Sequence, residues 1–339
     1  MLYISEFNNN LLDWYQANRR DLPWRRTNDP YKIWLSEVML QQTQVTTVIP
    51  YYNKFITKYP TLDDLAGAPE ETLLKDWEGL GYYNRIRNFH AAVNEVKNSY
   101  NSKVPENPDD FFSLKGVGPY IGGAVLSIAF NNLAAAVDGN VLRVMSRLNM
   151  DYRDTTKQSV QKSIKRDIES KMPLEAGDFN QALMELGATI CTPKTPKCIM
   201  CPVQAHCEAY INGNVSELPV KKKQKQKAEK YYNVYFIVND KEEVLLQKQQ
   251  GTLLKGMYEL PKYDVDTSIE TIEETLGLSL DHPNIHAGTE KHVFTHQIWY
   301  MEGYILYTKD DHEDFIPEKE VDKLPMSKAM RKLYHHFSA

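Results

Sequence analysis

The stretch Leu114–Asn140, LKGVGPYIGGAVLSIAFNNLAAAVDGN, restricts this chain more than any other. It opens with the turn Leu114-Lys115-Gly116-Val117-Gly118, where glycines at alternate positions remove the Cβ atoms that would keep an anion away from backbone N–H groups. A helix of small residues follows, and its N-terminal dipole points at the same place. The stretch ends on a lone acid, Asp138, just before another helix. Together these features suit a clamp that delivers a phosphate backbone to a carboxylate.

A second acid has the opposite character. Glu37 lies within IWLSEVML, among apolar neighbours on a helix expected to start at Pro30. Burial raises a carboxyl pKa because the charged form loses hydration, and a Glu protonated near neutral pH is a usable general acid. An isolated helical Glu is ordinarily exposed; the pairing with Asp138 is what favours burial here. Asp138 also reads as a helix N-cap, and capping N–H groups with the helix dipole favour its ionised form. Asn140 is placed to orient one of these carboxylates or a water. Gln41-Gln42-Thr43-Gln44 follows the Glu37 helix as a polar end. A second glycine turn, Gly79-Leu80-Gly81-Tyr82, sets aromatics beside Arg85. Helices are expected over 156–190, the last opened by Phe179-Asn180-Gln181.

All four cysteines, Cys191, Cys198, Cys201 and Cys207, fall within 17 residues. With no secretion-type leader apparent, that clustering argues for a metal centre and against disulfides. The spacing C-x6-C-x2-C-x5-C allows either tetrahedral zinc or a [4Fe–4S] cluster. Lys194 and Lys197 in the intervening loop suit phosphate contacts.

The chain has 339 residues, enough for at least two domains. Its apolar runs are too short to span a membrane, and a cytoplasmic protein with no membrane partner is expected. The net charge of −5 is unevenly shared: residues 1–230 carry 29 Lys and Arg against 26 Asp and Glu, and residues 231–339 carry 11 against 19. Any contact with a polyanion must therefore rest on local placement of cations. Residues 213–230, ending in KKKQKQKAEK, read as a linker, either solvated or lying along nucleic acid. Beyond it the periodicity becomes strand-like at 231–238, 243–247 and His292–Tyr307, with short helices near Ser268–Leu276 and Ser327–Phe337.

The glycine turn, the Val137-Asp138-Gly139-Asn140 run, the SEVMLQQTQV segment and the four-cysteine loop resemble the helix-hairpin-helix-Gly-Pro-Asp superfamily of DNA glycosylases and, within it, the A/G-specific adenine glycosylases. The resemblance spans nearly the whole chain. It implies an α+β multidomain protein. A mostly helical catalytic region, 1–212, would hold the hairpin at 114–124 and an iron–sulfur loop at 191–207. A Nudix-like lesion-recognition domain would occupy 231–339. It also implies base excision repair: hydrolysis of the N-glycosidic bond of adenine opposite 8-oxoguanine or guanine in double-stranded DNA, by a monomer. Glu37 and Asp138 would be the catalytic acids, assisted by Asn140 and by Tyr120 on the sugar side. Trp24, Arg25 and Gln181 would line the adenine pocket. Gln42, Thr43, Leu80, Tyr82, Gly116 and Gly118 would contact DNA, with Gln42 and Tyr82 as wedges. Phe294, Thr295 and His296 would read the lesion, Thr295 departing from the usual Ser. The four cysteines would bind [4Fe–4S] in preference to zinc.

Related bifunctional enzymes carry Lys where this chain has Tyr120, and a phenol cannot form an imine, so base excision without a lyase step is implied. The Nudix signature is broken at Glu270–Gly277, which implies a binding fold without pyrophosphate hydrolysis. The alternatives are a bifunctional endonuclease III-type glycosylase-lyase and a non-catalytic damaged-DNA-binding protein.

Overall fold

The computed structural model describes residues 2–221, 226–251 and 254–337. Residues 222–225 of the lysine-rich stretch lie outside them. The chain forms two compact units, Met1–Gly67 with Asn88–Lys223, and Ala68–Arg87 with Gln224–Ala339. Among the described residues no helix is long and apolar enough to cross a membrane.

The first unit is helical. Its longer helices are Leu2–Asn18, Pro30–Leu40, Val45–Lys58, Asn84–Ser99 (in this unit from Asn88), Pro119–Phe130, Gly139–Leu148, Gln158–Glu169 and Ala176–Thr189. Pro30 and Pro119 stand at the first helical position, where a missing N–H costs nothing. The Gly139–Leu148 helix buries Val141, Val144, Met145 and Leu148 against Leu11, Tyr15, Phe179, Leu183 and Leu186. Fully burying each such side chain contributes roughly 1.5–3 kcal/mol. The Pro119–Phe130 helix packs closely because Gly123 lacks a side chain: a Cβ there would lie 2.2 Å from the Ala135 carbonyl oxygen.

Three details differ from the sequence expectations. The helix carrying Gln181 starts at Ala176, so Phe179-Asn180-Gln181 lies inside it; the Phe179 N–H already bonds to the Glu175 carbonyl at 2.9 Å. Residues 41–44 form a short turn between two helices, because the Val45–Lys58 helix starts at once. The first part of the expected linker is packed structure: Leu218 is buried, its carbonyl accepts from Arg147 Nε at 3.0 Å, and the Val220 carbonyl accepts from the Thr155 N–H at 3.2 Å.

The second unit is built on a mixed six-stranded sheet. Strand Gln297–Thr308 lies between Asp281–Val293, antiparallel, and Ala228–Asn239, parallel; Glu243–Leu245 and Phe315–Pro317 extend the sheet, and Lys262–Asp264 pairs with Ala228–Asn239. The run His292–Tyr307 is not one strand. Phe294-Thr295-His296 turns the chain, closed by a 2.8 Å bond from the Phe294 N–H to the Gln297 carbonyl. Alternate residues face two helices. Tyr235, Ile237 and Leu306 pack with Ile272 and Leu276 of helix Ile269–Leu276. On the opposite face Phe236 stacks on Phe337 of helix Lys328–Phe337, with centroids 4.9 Å apart.

Candidate active site

Glu37 lies in the last turns of the Pro30–Leu40 helix and is only 4% exposed. Its Oε2 accepts a 2.5 Å hydrogen bond from the Tyr120 hydroxyl, in the first turn of the Pro119–Phe130 helix. Burial pushes the Glu37 carboxyl up; the Tyr120 hydrogen bond opposes this, the nearby Asp138 charge adds to it, and Arg25 opposes it, leaving a pKa of about 7. Burial and the two carboxylates hold the Tyr120 phenol well above its usual range, so it acts as a donor. Oε1 of Glu37 is then the oxygen left to carry a proton. The Tyr120 hydroxyl is thus committed to Glu37 while Tyr120 lines the same cavity as both acids.

Asp138 caps the Gly139–Leu148 helix as expected, its Oδ1 accepting the Val141 N–H at 2.8 Å. Asn140 Nδ2 donates to Oδ2 at 2.8 Å, and Asn140 Oδ1 in turn accepts from Arg143 Nη2 at 2.9 Å. Burial raises the Asp138 carboxyl above its ordinary value, against the hydrogen bonds from Val141 and Asn140 and the charge of Arg143. The cap alone had suggested a shift in the other direction; depth in the cavity outweighs it. With two interacting acids in one site, protons leave the pair in coupled steps. The hydrogen-bonded Asp138 is the better supported anion, because the Val141 N–H, the Asn140 side chain and backbone N–H, and the Arg143 charge all favour its ionised form.

Both acids line one cavity of about 140 Å³, together with Trp24, Arg25, Tyr120, Asn140, Gln181 and Thr43. Thr43 therefore belongs to the pocket wall. Two residues that carry most of the remaining charge were not singled out from sequence. Glu185, 1% exposed, receives Arg20 through Nε at 2.7 Å and Nη2 at 2.9 Å, and Arg25 through Nη2 at 2.9 Å. Burial disfavours its charge, but the two guanidiniums outweigh burial and hold the carboxyl below its usual range. Helical spacing was the available signal: Met184, Glu185 and Ala188 follow Gln181 at the intervals that share a helix face, and all line the cavity.

The residues expected to meet DNA divide. Gly116 has φ +80°, and a Cβ there would lie 2.8 Å from the Asn88 Cβ. Gly118 is the N-cap of the Pro119–Phe130 helix, and among the described residues none beyond its own chain neighbours comes within 4 Å of where its Cβ would be. Gln42 is exposed in a left-handed conformation, φ +55°. In the second unit Tyr82 is 45% exposed at φ +51°. Leu80 is the exception. It is 6% exposed, and its side chain packs inward while Arg85 takes its carbonyl at 3.1 Å, so a side-chain contact with DNA is not available. Phe294, Thr295 and His296 sit together at the hairpin tip. Phe294 packs on Trp299 with centroids 4.6 Å apart, and Thr295 Oγ1 is 2.8 Å from the Tyr82 hydroxyl.

Cys191, Cys198, Cys201 and Cys207 are free thiols lining one cavity of about 30 Å³ with Arg147, Ile190 and Gln204. Arg147 anchors the loop: Nη1 lies 3.3 Å from Cys191 Sγ and 2.8 Å from the Thr192 carbonyl, and Nη2 lies 3.1 Å from the Pro193 carbonyl. Burial pushes the Cys198, Cys201 and Cys207 thiols up, Cys201 to about 12. Thiolates there need a compensating cation, which a bound metal supplies. The donor set fits a four-thiolate group. Among the described residues, no three His, Cys, Asp or Glu side chains form a site for a single metal ion.

A glycine hairpin leading to a helix-capping acid, with a buried second acid across the same cavity, defines the helix-hairpin-helix DNA glycosylase class. The family model for HhH-GPD superfamily base excision DNA repair proteins matches residues 35–170, and that for the NUDIX domain matches residues 233–336. The adenine DNA glycosylase of Buchnera aphidicola subsp. Baizongia pistaciae is 37% identical over 265 residues, covering 76% of this chain and 74% of its own. That of Rattus norvegicus is 44% identical over 230 residues, 64% of this chain but only 44% of the longer rat protein. The chain belongs to the adenine DNA glycosylase family. Among solved structures, a thermostable thymine-DNA glycosylase is similar at TM-score 0.55 and 32% identity, over 62% of this chain and 97% of that one. A trapped endonuclease III–DNA covalent intermediate, 24% identical with TM-score 0.53, shares the fold.

Proposed function

We propose that the chain is a monofunctional DNA N-glycosylase that releases adenine opposite 8-oxoguanine or guanine. The observation that carries this reading is the acid pair: Glu37 with a pKa of about 7 and Asp138 capped by donors, lining one cavity. With adenine extruded into that cavity, Glu37 Oε1 gives its proton to the base at N7. The C1′–N9 bond breaks, and its electron pair leaves with adenine. Asp138 stabilises the positive charge that grows on the deoxyribose. Water adds its oxygen to C1′, and its released proton goes to a carboxylate, restoring the pair. Two carboxylates in different protonation states serve sugar hydrolases in the same way. Trp24, Gln181 and the Arg20–Glu185–Arg25 cluster provide the stacking and hydrogen-bonding walls for the base.

DNA is held by the Gly116–Gly118 turn at its backbone, with Gln42 and Tyr82 beside the opened base pair, and the Phe294–His296 tip reads the lesion. The four cysteines hold a [4Fe–4S] cluster, supported by the all-thiol donor set and its spacing. Held by the four thiolates, such a cluster would cross-link the loop that presents the exposed Lys194 and Lys197. Single-turnover excision from an adenine:8-oxoguanine duplex tests the reading, with borohydride trapping alongside. Adenine release without a trapped protein–DNA adduct is expected. A trapped imine would favour the lyase alternative, and no release at all would favour a non-catalytic binder.

A further inference from the structure

The Gly79–Tyr82 turn is built from the helical half of the sequence, yet it clusters with the C-terminal residues. Glu78, the residue before the turn, is gripped by Arg331 of the Lys328–Phe337 helix. Nε bonds to Oε1 at 2.9 Å and Nη2 lies 3.4 Å from Oε2, with the two side chains 12% and 17% exposed. Arg331 is itself fixed by the Leu324 carbonyl at 2.8 Å and Asp322 Oδ1 at 3.0 Å. Glu71, seven residues earlier, meets Lys248 Nζ at 2.5 Å and the Tyr258 hydroxyl at 3.3 Å. At the far end of the turn, Tyr82 meets Thr295.

The turn needs such support. Gly79, Gly81 and Tyr82 have φ of +99°, +70° and +51°, and for Tyr that region is strained. Inside the turn, Trp77 Nε1 bonds to the Gly81 carbonyl at 3.1 Å, and the Arg85 guanidinium lies over the Trp77 and Tyr82 rings. These local contacts hold the loop's shape. The ion pair with Arg331 is the least exposed of the three side-chain ties, with Glu71–Lys248 and Tyr82–Thr295, between this segment and the C-terminal residues that carry the hairpin tip.

We propose that Glu78 and Arg331 are positioning residues that make the Tyr82 turn part of the C-terminal unit, so that the wedge and the lesion-reading tip move as one body. The consequence for DNA rests on the reading of Tyr82 as a wedge given above. The positioning itself is testable without DNA.

Amide hydrogen exchange in the full chain is the direct test. Glu78→Ala leaves the Arg331 bonds to the Leu324 carbonyl and Asp322 in place and removes its link to the turn, together with the Lys75 Nζ contact at 2.8 Å and the Met326 N–H contact at 3.5 Å. Lys75→Met, which removes the first of these alone, is the control and is expected to leave turn exchange near the wild-type rate. A partly buried charge-assisted bond of this kind is worth about tenfold in a local opening equilibrium. Exchange at Gly79–Arg85 is therefore expected to quicken about tenfold in Glu78→Ala and in Arg331→Met, with no further gain in the double variant. Exchange in strand Gln297–Thr308 should stay at the wild-type rate in Glu78→Ala. Arg331→Lys should restore part of the protection. Turn amides that exchange at the wild-type rate in Glu78→Ala would overturn the proposal. So would additive effects in the double variant.

A second measurement separates this from the wedge reading. An adenine:8-oxoguanine duplex carrying 2-aminopurine next to the orphaned base reports unstacking. Tyr82→Ala that leaves the fluorescence rise intact would sink the wedge reading alone. A rise lost in Tyr82→Ala but kept in Glu78→Ala would count against the positioning role.

Discussion

Glu37 shows how position turns a common side chain into an acid. Folded, it titrates near 7; unfolded, near its ordinary 4.5. Between those values the folded state keeps a proton that the unfolded state has lost, so the cost of burial grows as pH rises and levels off above 7. Glu37→Gln is therefore expected to match wild-type stability below pH 4.5 and exceed it at pH 8 by roughly 1–3 kcal/mol. Denaturant melts at the two pH values check this, and an unchanged difference between them would contradict it. The apolar residues around Glu37 did not by themselves make its burial legible, since a helical Glu is ordinarily exposed; the pairing with Asp138 and the SEVMLQQTQV motif did, and the capping of Asp138 was legible from its place before an apolar-periodic helix. The direction of the Asp138 shift was not, because cavity depth is set by residues far away in sequence. Glu185 could have been found from its helical spacing to Gln181, but its pairing with Arg20 could not, because the two positions lie 165 apart.

The Gly139–Leu148 helix connects the acid to the cysteine loop. Asp138 caps it, Asn140 orients the acid, Arg143 Nε bonds to the Cys191 carbonyl at 2.8 Å, and Arg147 holds the loop beyond. Neighbouring helix Ala176–Thr189 lies close enough that a Cβ on Gly187 would meet the Asn140 Cβ at 2.7 Å. Gly187→Ala should push this helix start aside, cost about 1–3 kcal/mol in stability, and slow excision while leaving duplex binding close to wild type. Thermal melts with single-turnover kinetics check it; a wild-type rate would show that Asn140 tolerates displacement. Helices and their proline starts were readable from periodicity. The packed segment 215–220 was not, because the lysine run that follows it dominates the local composition.

For the whole molecule, the assignment of residues 68–87 to the C-terminal unit changes how lesion reading should be tested. Deleting residues from 231 onward would also remove the C-terminal partners of Glu71, Glu78 and Tyr82, so a narrower change is preferable. Thr295→Val keeps the shape and removes the hydroxyl. It is expected to reduce the preference for 8-oxoguanine over guanine opposite adenine several-fold, as loss of one hydrogen bond of about 1 kcal/mol implies, in single-turnover rates on the two duplexes. An unchanged ratio would remove Thr295 from the reader. The tip could be picked out only through its family resemblance, since a hairpin turn and alternating strand residues look alike in so short a run. In the proposed mechanism a neutral Glu37 protonates the base while the rest of the molecule holds the duplex. Its most direct test is Glu37→Gln assayed side by side for duplex affinity and for single-turnover adenine release. Near-wild-type affinity with release lost is the expected result, with the wild-type rate falling as pH rises above about 7. Full release by the variant would contradict the assignment.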